Sequence, residues 1–109
     1  MPYYLSQVGY TPESWAAQIR NPQDVRERVG RAAEAVGGRM ESAFYAFGAH
    51  DLIAIVEFPD DAAVAAWAIA TAAGGALRSM TTTPLISVDD GLNIMRNAAK
   101  VTQVYQPPK

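Results

Sequence analysis

The sequence predicts an α+β domain whose elements follow the order β-α-β-β-α-β, with one further helix at the C-terminus. Three observations carry the prediction. Four short segments rich in branched and aromatic residues have the composition of strands. The stretches after the first and third of them switch to helical spacing of apolar residues. Both of those stretches end in a Gly-Gly pair, at 37–38 and at 74–75, the usual way a helix stops. With 109 residues, half of them hydrophobic, the chain has the length of one domain and enough apolar surface for a core.

The first strand is read over Tyr3 to Tyr10 and is closed by Thr11-Pro12. Thr11 suits an N-cap and Pro12 a first helical position, where a missing N–H costs nothing. Asn21-Pro22 interrupts the helix, because the residue before proline is pushed away from helical angles. Beyond the break Val25, Val29, Ala32, Ala33 and Val36 form one apolar stripe, opposite Arg26, Glu27, Arg31 and Glu34. Glu27 stands four residues ahead of Arg31, the favourable orientation for a helical ion pair. Met40 to Phe47 is the second strand and Leu52 to Phe58 the third, joined through Gly48-Ala49-His50-Asp51. The third strand is apolar on both faces, which suits a central position covered on both sides.

Asp60 is the expected cap of the next helix. Eight of the twelve residues from Ala62 to Ala73 are alanine. A helix that is apolar all round is expected to be buried all round. Its far face therefore calls for cover by a partner subunit, unless it is simply a bland exposed helix of the best helix former. The fourth strand spans Ala76 to Ile86. Ser87-Val88-Asp89-Asp90 then resembles a capping box, opening a last helix with the stripe Val88, Leu92, Met95 and Ala99. Val101 to Tyr105 alternates weakly and is expected as a short strand, and residues 106–109 as a flexible tail, so that one domain fills residues 1–105.

This order is the split βαβ pattern of ferredoxin-like folds. Two helices cover one sheet face and leave the other open, so pairing of sheets between two copies is expected, a homodimer or higher homo-oligomer.

Composition excludes several function classes. With 9 basic and 11 acidic residues, the net charge is −2, which leaves no electrostatic footprint for nucleic acid. The apolar run 62–73 is about 18 Å long as a helix, too short for a bilayer of about 30 Å. There is no cysteine, hence no disulfide framework and no thiolate. Together with an N-terminus lacking signal-peptide character, this leads to an expected cytoplasmic location. A single histidine cannot furnish a zinc ligand set within one chain. No phosphate-binding glycine loop and no nucleophile elbow occur, so no metal and no cofactor is expected.

The candidate sites are few. His50 and Asp51 are candidates for a general base and its orienting carboxylate. The plain alternative is a hairpin in which both are ordinary turn residues, with Asp51 bonding local backbone amides. Arg78 is a candidate anion binder. Thr81 and Thr83, on one face of the fourth strand, are candidate hydroxyl contacts, or simply good strand formers. Tyr4, among the sheet aromatics, is a candidate floor for a flat ligand, where core packing is the alternative. Two function classes follow. One is a small-molecule protein, a binder or a cofactor-independent enzyme, using a cleft between sheet and helices. The other is a non-catalytic structural or regulatory oligomer.

Three stretches add a resemblance: Tyr10-Thr11-Pro12-Glu13; Tyr45-Ala46-Phe47-Gly48-Ala49-His50-Asp51 with Ile55-Val56-Glu57-Phe58-Pro59-Asp60-Asp61; and Arg78-Ser79-Met80-Thr81-Thr82-Thr83-Pro84-Leu85. In order and spacing they are similar to the GYD-domain family, small proteins of largely uncharacterised function. The resemblance implies a ferredoxin-like fold assembled as a dimeric α/β barrel. It also implies that His50 stands where the family's Gly-x-Tyr-Asp motif has its tyrosine, which places an imidazole where the family has a phenol.

Overall fold

A computed structural model describes all 109 residues. Four strands, β1 (Tyr3–Tyr10), β2 (Arg39–Tyr45), β3 (Leu52–Glu57) and β4 (Leu77–Leu85), form one antiparallel sheet in the order β2-β3-β1-β4. Helices α1 (Pro12–Arg20), α2 (Val25–Glu34) and α3 (Asp61–Ala73) fill the connections, and α4 (Val88–Thr102) follows the last strand. This is the split βαβ topology of a ferredoxin-like domain.

The helix starts form as the local chemistry requires. Thr11 Oγ1 accepts from the Ser14 amide, Asp60 Oδ1 from the Ala63 amide and Ser87 Oγ from the Asp90 amide. Each side chain satisfies an N–H that the first helical turn leaves free. Asn21-Pro22 does more than interrupt a helix. It separates α1 from α2, which begins afresh behind its own cap, Asp24, whose carboxylate accepts from the Arg26 amide.

Strand alternation sorts the residues of β1. Tyr4, Ser6 and Val8 are buried on the face that carries α2 and α3. Their partners in β3, Val56, Ala54 and Leu52, are buried with them. One part of the core joins Tyr4, Ala33, Val56, Phe58, Val64 and Trp67; the other joins Val8, Tyr10, Val25 and Leu52. Phe58 and Val56 have no exposed surface at all, so truncating Phe58 to alanine costs about 3–5 kcal/mol. Leu5, Gln7, Ile53, Ile55, Phe44 and Thr83 face the other way, where no helix of this chain lies over them.

Three expectations need correction. β2 ends at Tyr45 rather than Phe47. The Ala46 amide turns to the Asp51 carbonyl, closing a six-residue loop with Phe47 fully in solvent. β3 sits centrally as expected, but only one of its faces is covered within the chain. In α3 only Val64 and Trp67 are buried. Ile69 and most of the alanines on the outer side stay exposed, as expected of a helix whose far face has no cover within its own chain. The segment 101–105 is no strand. α4 continues through Thr102, because Val101 extends the helical row of Ile94 and Ala98 and no glycine or proline interrupts before Pro107. No residue of α4 is buried, and the molecule extends 59 Å along its longest axis.

Tyr4 ties the sheet to α3. Its hydroxyl donates to Asp61 Oδ1 at 2.6 Å, in the first turn of the helix. This bond, with burial second, pushes the Tyr4 hydroxyl from 10.0 up to about 12. A raised folded-state value favours the protonated form in the native state. The stabilisation is therefore complete below pH 10 and is lost as pH rises through about 12. Tyr4→Phe is expected to cost about 1–2 kcal/mol by urea unfolding at pH 7, and the gap between the two proteins closes at strongly alkaline pH.

Candidate functional site

Between the sheet and helices α2 and α3 lies a cleft of about 280 Å³. It straddles the two parts of the core, and its walls are mostly small or apolar: Val8, Ala32, Leu52, Ala54, Ala70 and Met80 among them. The opening exists because alanine faces alanine. Ala32 of α2, Ala70 of α3 and Ala54 of β3 end at the Cβ atom, and Trp67 alone does not fill the space left over.

Three wall residues bring polar atoms of interest. Trp67 lies against Phe58, ring centroids 5.3 Å apart, and its indole N–H is buried without a hydrogen-bond partner. Arg28 of α2 stands exposed at the rim and makes no ion pair. Tyr10 closes the same end of the cleft; burial pushes its hydroxyl above the ordinary value, against the opposing effect of Arg28 close by. Thr71 also lines the wall, but its hydroxyl already donates to the Trp67 carbonyl at 2.7 Å.

The residues singled out from sequence lie elsewhere. Tyr4 is in the core with its hydroxyl on Asp61. Thr81 and Thr83 pair with Gln7 and Leu5 on the open sheet face, while Met80 and Thr82 point to the helices, as alternation requires. His50 and Asp51 do not bond one another. His50 Nδ1 is buried without a partner, and the Asp51 carboxylate is engaged across the sheet rather than with local amides.

That engagement brings Asp51 and Arg78 together. The pairing of β1 with β4 shifts between Gly9 and Tyr10, with Arg78 the extra residue. Such a bulge leaves one strand's backbone without its ladder partner, and Asp51 Oδ2 takes the Tyr10 amide at 2.8 Å. Arg78 reaches over β1 to the same oxygen at 3.2 Å. It passes above Gly9, where a Cβ would come within 2.5 Å of the guanidinium carbon and 2.7 Å of Ser79 Oγ. The Tyr10 amide first, and Arg78 after it, hold the Asp51 carboxyl below the usual range. Asp51, Gly9 and Arg78 thus form a clamp across three adjacent strands. The signal in the sequence is Gly9 itself, the only residue of β1 without a side chain.

A lowered folded-state value means that the clamp stabilises the fold above the ordinary carboxylate range and loses this as pH falls below about 4. Asp51→Ala is expected to lower the melting temperature at pH 7, with little difference from the parent at pH 3. Gly9→Ala, which displaces Arg78, is expected to cost about 1–3 kcal/mol in urea unfolding at neutral pH.

Comparison with known proteins bears on the fold and the family of the chain. No curated protein matches the chain. A solved structure described as the crystal structure of FFRP-DM1 is similar, with a TM-score of 0.52 and 14% sequence identity, over 79% of this chain and 100% of that one. At this identity the likeness is one of fold. The GYD domain description matches residues 4–95, from the first strand into α4. The chain belongs to the GYD domain family.

Proposed function

We propose that this GYD domain binds a small, largely apolar molecule carrying one acceptor or anionic group, seated between the sheet and helices α2 and α3. The observation that carries the reading is an apolar cleft whose wall includes Trp67 and whose rim carries the exposed, unpaired Arg28. The buried Trp67 indole N–H has no partner, and a buried donor left unpaired costs about 1–3 kcal/mol. Arg28 at the rim adds an unpaired positive charge. An apolar pocket with a few convergent polar groups is the usual form of a ligand site. Tyr10 and Arg28 are the only ionisable residues in its wall, and His50 and Asp51 lie outside it. The cleft is therefore read as one that binds, and catalysis is not assigned to it.

Self-association that covers the open sheet face goes with this reading, and the family resemblance implies a dimer. Leu5, Ile53, Ile55 and Phe44 on that face give it the apolar character an interface core requires. The second reading, a purely structural or regulatory oligomer, draws on the same surface.

The test uses aromatic monocarboxylates: benzoate, phenylacetate and indole-3-acetate. A binder of the native state raises the melting temperature by mass action. It is also expected to move the indole N–H resonance of Trp67 and leave that of Trp15 in place. Arg28→Ala is expected to weaken binding about 10-fold, the value of one charge-assisted hydrogen bond. Failure of all three probes to shift either observable at millimolar concentration overturns the reading, and in a protein that self-associates it selects the structural one.

A further inference from the structure

The surface of this chain is too large for a compact monomer. Its accessible area is 7550 Å², whereas a folded monomer of 11.7 kDa exposes about 5,900 Å². Its radius of gyration is 17.5 Å, against about 13 Å for a compact chain of this length. α4, the residues after it and the open sheet face all contribute to the difference.

α4 is also the wrong helix to stand alone. An isolated helix of about 12–15 residues is marginal in water, and α4 has 15 residues, none of them buried. Apolar residues take up half of its circumference: Val88, Leu92, Met95 and Ala99 in one row, Ile94 and Val101 in the next. Asp89, Asp90, Asn93, Arg96 and Lys100 occupy the other half. Such a wide apolar sector is that of a helix seated on a sheet. Beyond the two-residue link Ile86-Ser87, α4 packs on no other element of its own chain, whose open sheet face lacks a helix. At about 1.5 Å per residue α4 is about 22 Å long, which matches strands of six to nine residues at about 3.3 Å each.

We infer that α4 is an exchanged arm: its apolar half docks on the open sheet face of a second copy of this chain, whose α4 returns the contact. The occupant is a second copy because each chain carries both halves of the contact and joins neither within itself. The surface in excess, roughly 1,700 Å², exceeds the 800 Å² or so per partner of a standard interface and falls in the range of obligate homodimers. The inference rests on self-association through the sheet face and is independent of the cleft.

The test combines sedimentation equilibrium with isotope-filtered nuclear Overhauser measurements on a mixed sample of labelled and unlabelled full-length chain. The expected result is a dimer with contacts between the methyls of Leu92 and Met95 in one copy and those of Leu5, Ile53 or Ile55 in the other. Replacing Leu92→Asp together with Met95→Asp is expected to raise the dimer dissociation constant about 100-fold or more, because two apolar anchors are lost. Both positions are exposed in the single chain, so the amide spectrum of the β-sheet serves as the control for folding. A dimer that the double variant leaves intact, with intermolecular contacts only between sheets, overturns the arm and leaves self-association standing. Contacts of α4 with the sheet of its own chain overturn the arm as well. A wild-type monomer at the highest soluble concentration overturns both.

Discussion

Two helices laid side by side cover one face of a four-stranded sheet, and nearly everything particular about this molecule depends on that limit. Because α2 and α3 share a face, β1 must alternate between two environments. Tyr4, Ser6 and Val8 are buried on one side, while Leu5 and Gln7 lie half-exposed on the other. The covered side holds the whole core and the cleft. The uncovered side keeps branched residues in water, where burying apolar surface is worth about 25 cal/mol per Å². A chain with such a face has a standing driving force for association.

The cleft has a different origin. An alanine-rich α3 lies close to the sheet because alanine is short, yet a helix resting on β1 and β3 through Val64 and Trp67 leaves space beside the larger side chains. Well-packed interiors do not tolerate such gaps without cost. Here Trp67 forms part of the wall, and its own buried N–H lacks an acceptor. A molecule able to fill the space would relieve the cost of the gap, and its binding would stabilise the fold by mass action.

What the sequence made legible was local. Thr11, Asp60 and Ser87 were readable as caps because a cap concerns residues three apart, and β1 was readable to its ends because its composition and the Thr-Pro that follows are local too. What escaped was set by partners distant in sequence. Asp51 beside His50 suggested an acid–base pair or a turn, but its carboxylate serves an amide 41 residues away and a guanidinium 27 residues away. Arg28 was unremarkable on a helix of alternating charge, and only the packing of α2 against the sheet puts it at the rim of a cleft. Trp67 was visible as one large residue in an alanine run, although nothing local revealed that its N–H would lack a partner. The weak alternation of 101–105 misled because helical phase, carried forward from Ile94, outweighs two or three residues of strand-like pattern.

The clamp at the end of β1 shows how these demands are reconciled. A sheet that must serve a cleft on one face and an apolar surface on the other cannot slip by one residue, since a one-residue slip exchanges the faces. The bulge at Arg78 sets the register of β4 on β1, and Asp51 sets that of β3 through the same strand. Both meet over Gly9, where a side chain would force them apart. Charge placed there acts on register. Asp51 and Arg78 hold Tyr4, Ser6 and Val8 toward the helices, and so fix which face becomes the cleft and which stays open.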